Sequence, residues 1–353
     1  MNADTLLDEL VRTIEELLLG GLTTASPATL QALGVSFQES SRHGFLRLGS
    51  TLRVAQEELG RFVRHEPEFA RKRLFFFLNR AWLLAQALRS ADAAGRERIL
   101  GNVPGQPVDQ LEVVVLGVGK KVSSSFCAFE FRLRSVGDGR PFVWSCIFPV
   151  KPGSDLPAET YLQLPQKQKF VAAVFLHAAT VSITRANVST DGAGLGRISL
   201  TESSTVVAGQ PFADWQRYLE WTPATALARV RAHRAGPLDL EVELQEEIVL
   251  TDYRVSAAVE RDESGPLAYP LTWRGIEWDA VVPRGSDGAA LKAVFENLIK
   301  ANPPPPLYGL MHYEIGRLIV QPLALFEIGK PPSYIQLSGQ MSDRKSLLKA
   351  MKF

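Results

Sequence analysis

Cysteine is almost missing: Cys127 and Cys146 are the only two in 353 residues. That is too few for a disulfide scaffold and fits a reducing cytoplasm. The five histidines (His43, His65, His177, His233 and His312) are scattered without ligand spacing, so neither a structural metal nor a cofactor is expected. No apolar run reaches the roughly 18 residues of a membrane helix. The start, MNADTLLDEL, carries acids and no base before Arg12, which is not the pattern of a secretion signal. A charge excess is lacking too, with 39 basic against 38 acidic residues. The basic surplus common in nucleic-acid proteins is therefore absent overall, and a charge-driven partner has to be met by a local patch. There is no G-x-S-x-G, and neither cysteine sits in an activated setting.

What is present is an ordinary apolar content of 46%, enough to bury real cores. Residues 1–100 read as helices. Leu6, Leu7, Leu10, Val11, Ile14, Leu17 and Leu18 form one face, with Asp4 as its expected cap. Ser26-Pro27 is a second start signal. In RKRLFFFLNRAWLLAQALR, a stripe of Leu74, Phe77, Leu78, Ala81, Leu84 and Leu88 is widened by Phe75, Phe76, Trp82 and Leu83, the pattern of a bundle's central helix. Residues 42–100 hold twelve Arg or Lys against six Asp or Glu, a local basic surplus of six. A basic helix with Phe and Trp could lie on a membrane, but an apolar ring this complete favours a bundle core.

After the glycine- and proline-rich GNVPGQPVDQ (101–110) the period changes from 3.6 to 2. LEVVVLGVGKKVSSSF, Leu111 to Phe126, looks at first like a phosphate loop. With Gly119-Lys120 as the pair, however, the Walker positions fall on Val114 and Lys121, and both fail. The third glycine of a dinucleotide fingerprint would be Val122, which fails too. The segment that follows alternates Cys127, Phe129, Phe131 and Leu133 with polar or small residues, as a strand does. Asp138-Gly139 then predicts a two-residue hairpin turn. That register sets Leu133 opposite Trp144, Phe131 opposite Cys146 and Phe129 opposite Phe148, with Arg132 facing Ser145 and Arg134 facing Val143. Strands at 111–118, 126–136 and 141–149 form a meander, and two more at 179–188 and 196–207 would permit an OB-like barrel or a sandwich. Beyond it, strands are expected at 238–250, 267–282, 307–315 and 317–327, and helices at 211–219, 222–235 and 286–302.

The expected fold is α+β: a helical domain at 1–100, an antiparallel β module at 111–207, OB-like in one reading, and an α+β domain at 208–353. Lys120, Lys121, Arg132 and Arg134 cluster at the meander as candidate nucleic-acid-binding residues, with Phe126 as a stacking ring. Solvated cations at a strand end are the plainer explanation. In LDLEVELQEEIVL, strict alternation turns Glu246 inward as a carboxylate of raised pKa, whereas a bulge at Gln245-Glu246 would bring it to the surface, the favoured expectation. His312 and Glu314 share one strand face, but the P-C-x-x-C that a zinc deaminase needs after H-x-E is missing.

With no catalytic or cofactor constellation, the leading expectation is a cytoplasmic, non-catalytic binding or assembly protein of a multi-protein, bacterial-type system, its partner another protein. The first alternative is single-stranded nucleic-acid binding through 111–207. The second is an enzyme using Glu246 or Glu314 as general acid or base.

Overall fold

The computed structural model describes residues 2–66, 69–100, 105–123, 126–150, 156–190, 194–232, 238, 245–261, 265–314 and 317–337. The chain is α+β and divides into two compact units: one is chiefly Met1–Asn102, and the other carries the β strands.

The first unit is a helical bundle of α1 (Ala3–Gly20), α2 (Pro27–Arg42), α3 (Leu46–Val63), α4 (Arg71–Ser90) and α5 (Ala93–Leu100). Its core is built from helically spaced aliphatic residues: Leu7, Leu10, Ile14 and Leu17 on α1, Leu48, Leu52 and Leu59 on α3, and Leu74, Leu78, Leu84 and Leu88 on α4. Phe75, Phe76, Phe77 and Trp82 are half-buried around that stripe. Ser26 caps α2 as expected, accepting from Thr29 N, but the cap of α1 is Asn2, not Asp4. α4 has no side-chain cap of its own. The amide of its N-cap residue, Ala70 N, donates at 3.2 Å to Oε2 of Glu58, a carboxylate buried on α3 that Arg61 and Arg73 also contact, at 2.6 and 3.2 Å.

The second unit contains two barrels, the first closed and the second a curled eight-stranded sheet that repeats its strand order. β1 (Gln106–Val122), β2 (Phe126–Ser135), β3 (Pro141–Pro149), β4 (Ala179–Thr190) and β5 (Gly196–Pro211) close in the order β1-β2-β3-β5-β4. β3 and β5 run parallel through Phe142↔Gly196 and Val143↔Arg197, and β1 returns antiparallel to β4. This is the five-stranded Greek-key order of an OB barrel. Inward residues alternate along β2 and β3, and Phe175, from the short 3-10 turn Ala172–Leu176 between β3 and β4, plugs the interior against Phe131 and Trp144.

The remaining strands are β6 (Glu246–Leu250), β7 (Arg254–Val255), β8 (Val259–Glu260), β9 (Leu267–Trp273), β10 (Ile276–Val282), β11 (Leu307–Glu314), β12 (Arg317–Leu325) and β13 (Ser333–Tyr334). The main path runs β6-β11-β12-β10-β9-β7. Its two ends are consecutive pieces of chain, interrupted at Thr251–Tyr253, where Asp252 has φ 54°. Taking β6 and β7 as one broken strand 1, the path becomes 1-2-3-5-4 and back to 1, the order of the first barrel. The parallel contact recurs as Asp279↔Ile319 and Ala280↔Val320. A helix, α7 (Ser286–Leu298), again links strands 3 and 4, and its Phe295 enters the core against Tyr269, as Phe175 does in the first barrel. Another helix, α6 (Pro223–Ala232), adds Ala226 and Leu227 to the same core.

Several expectations are corrected. The β2–β3 hairpin turns through Val136–Gly139, four residues rather than two, so the ladder slips by two: Leu133 meets Phe142, Phe131 meets Trp144 and Phe129 meets Cys146. Arg132 accordingly lies opposite Val143, and Arg134 opposite Pro141. A slip of two preserves the faces, so the apolar pairing survives. The stretch 267–282 is not one strand but a tight hairpin, its Arg274-Gly275 turn holding both residues at positive φ, 48° and 80°. Of the helix expected at 211–219, a single 3-10 turn forms, Trp215–Tyr218.

Candidate nucleic-acid interface

The four expected cations do not form one surface. Lys120 is held by Glu159, Nζ to Oε1 at 2.9 Å, with both side chains largely buried. Arg132 is buried, its Nη2 2.5 Å from Glu130 and 2.7 Å from Gln245. Arg134 pairs with Glu247. Burial is the largest influence on that guanidinium and disfavours its charge, but the Glu247 carboxylate overturns this and raises its pKa. Lys121, opposite Ala128, is the exposed member of the four.

Gln245 and Glu247 belong to the second barrel, so the two arginines serve the seam between barrels. That seam is otherwise apolar: Val114 and Leu116 of β1 pack with Val249, Tyr308, Leu310, Leu323 and Phe326. Gly117 follows a register shift in β1, and a Cβ there would lie 2.7 Å from Tyr308 Cε1 and 2.8 Å from Leu323 Cβ. The glycine that resembles part of a phosphate loop is required by close packing. Tyr334 Oη, donating to Val115 O at 3.1 Å, crosses the same seam.

Glu246 is buried, contrary to the expected bulge, and keeps its alternation with Ile248. Arg229 of α6 grips both its oxygens, Nε to Oε1 at 2.5 Å and Nη2 to Oε2 at 2.6 Å, so the carboxylate fastens a helix to the barrel. Glu246 pairs with Met311 across the ladder, which sets it on the face opposite to the buried His312. The side chain of Glu314 lies outside the described residues. The two cysteines are free and buried, and burial pushes both thiols up to about 12, which leaves no reactive thiolate near neutral pH. Among the described residues no three His, Cys, Asp or Glu side chains gather as a metal set, and no helix is long and apolar enough to cross a membrane.

A second cationic group escaped the sequence reading. Between β3 and β4 the chain makes a small hairpin, Pro165 bridging Val171, with Lys167, Gln168 and Lys169 at its tip. Lys169 takes φ 63°, a position glycine ordinarily fills in a three-residue hairpin loop. Gln168 Nε2 donates 3.2 Å to Thr201 O on β5. There β5 bulges: Thr201–Ser204 lie between the pairs Ala186↔Leu200 and Thr184↔Thr205, opposite Arg185 on β4. The hydroxyls of Thr201 and Ser204 donate to Arg185 O at 3.0 and 2.6 Å, and Arg185 has φ 53°. Each non-glycine residue in this left-handed region costs about 1 kcal/mol. Lys167, Lys169 and Arg185 are all exposed, and none forms an ion pair among the described residues.

The fold thus defines an α+β protein whose second unit is a pair of OB-type barrels of the same strand order. No protein-family model matches the chain, and no curated protein matches its sequence. Among solved structures it is similar to the Ifi202 HINa domain in complex with double-stranded DNA, at 10% identity over 62% of this chain and 92% of that one, with a TM-score of 0.30. A murine DNA-binding protein bound to double-stranded DNA gives 12% identity, 63% and 100% coverage and a TM-score of 0.25. The replication protein A heterotrimer bound to single-stranded DNA gives 11%, 62% and 49%, and 0.27. At these scores the likeness is loose.

Proposed function

We propose that the protein is a non-catalytic nucleic-acid-binding protein acting through its tandem barrels. The observation that carries this reading is the OB strand order, formed twice and packed as one body. Barrels of this order bind oligonucleotides over strands 2 and 3 and the loops beside them, and two in series offer a track longer than one. With about 4–16 nucleotides per barrel, a strand of about 30 covers both. Lys121 is the cation of the original four that remains available for such contact. Lys120, Arg132 and Arg134 contribute by holding the barrel and the seam in shape.

The test is fluorescence anisotropy with a labelled single strand of about 30 nucleotides and its duplex, titrated at rising salt. Binding at low salt that weakens linearly in log–log form as salt rises supports the reading. Absence of binding to either probe at low salt overturns it.

A further inference from the structure

We propose that Lys167, Lys169 and Arg185 form a contact surface for nucleic-acid backbone phosphates on the β4–β5 side of the first barrel, away from its strand 2–3 face. The proposal rests on the nucleic-acid reading above and places part of the interface.

Three observations support it. First, the group is assembled by specific hydrogen bonds. Gln168, between the two lysines, anchors the hairpin tip to Thr201 O, and Thr201 in turn donates to Arg185 O. Ser204, which is buried, accepts from Thr201 N at 2.8 Å and donates to the same Arg185 carbonyl. Cations from two separate segments are thereby held to one node of β5. Second, Lys169 and Arg185 both occupy left-handed backbone where glycine would sit without strain, so each site keeps a long cationic side chain where a strain-free residue has none. Third, none of these three forms an ion pair among the described residues, a property they share with Lys121 and Arg197 of the same barrel, whereas Lys120, Arg132, Arg134 and Arg140 are each matched by a carboxylate. The exposed Ser203 adds a hydroxyl of the kind that contacts phosphate oxygens. Glu202, exposed on the same bulge, is the opposing charge. Phosphate contacts carry no sequence information, so the patch should contribute affinity without sequence preference.

The experiment compares the full-length protein with the triple variant Lys167→Gln/Lys169→Gln/Arg185→Gln, using the same labelled single strand and duplex. The expected result is binding weaker by roughly tenfold or more at low salt, with a log–log salt slope shallower by about 2, near 0.7 per single-strand phosphate contact removed. The loss should be the same for probes of different sequence. Glu202→Gln should tighten binding a few-fold. Lys167→Gln/Lys169→Gly separates folding from contact, because glycine relieves the left-handed strain: its thermal midpoint should hold or rise while its affinity falls. If the wild type binds and both variants bind with unchanged affinity and slope, the patch is refuted and the nucleic-acid reading stands. If the wild type binds neither probe, that reading falls and the patch with it.

Discussion

Lys120 and Lys121 sit side by side on β1, and strand alternation sends one ammonium to the buried Glu159 carboxylate and the other to solvent. Removing Lys120 leaves Glu159 without that counter-charge in a dry setting, so Lys120→Ala should lower stability by about 3 kcal/mol. Lys121→Ala should change it by less than about 0.5 kcal/mol. Urea unfolding of the two variants checks the contrast, and equal losses would contradict it. In the helical bundle, Glu57 shows a different balance. Burial, the largest influence, pushes its carboxyl up against the pull of Arg53, Arg61 and Arg73, and its Oε1 is buried without a hydrogen-bond partner among the described residues. A raised value in the folded state means that the native protein holds a proton the unfolded chain has released. Ionising Glu57 therefore costs stability, and the bundle should gain stability as pH falls from neutral through that raised value. Glu57→Gln should raise the midpoint at neutral pH and flatten this part of the curve, as thermal melts between about pH 4 and 7 would show.

At the scale of elements, much was legible because periodicity is local. The leucine stripes of α1 and α4, the Ser26-Pro27 start and the alternation of β2 and β3 all follow from neighbours in sequence. What escaped depends on loops and on distant chain. Asp138-Gly139 signals a turn but not its length, and the four-residue loop moves the register by two. Arg274 at positive φ hides a hairpin because arginine carries no turn signal, and Lys169 and Arg185 hide theirs in the same way. Arg132 and Arg134 read as surface cations because their partners lie more than a hundred residues later. Gly117 is the sharpest case, since its neighbours are Tyr308 and Leu323. Gly117→Ala should force β1 from the second barrel and cost about 1–3 kcal/mol. A thermal midpoint matching the wild type would show that the seam can yield.

Across the second unit, the shared cluster of Val114, Leu116, Val249, Tyr308, Leu323 and Phe326 makes the two barrels one body energetically as well as spatially. Neither barrel retains its outer surface without the other. Trp144 is buried in the first core and Trp278 in the second. Single-tryptophan variants reporting on each should give coincident unfolding curves, and two separated midpoints would show independent barrels. The same seam decides what happens to an incomplete chain. A fragment ending after Pro211 would contain every strand of the first barrel and still leave Val114 and Leu116 facing water, because the residues that cover them come later in the sequence. During synthesis that stripe stays uncovered until β11 and β12 emerge, so the first barrel depends on chain far downstream to cover its apolar face.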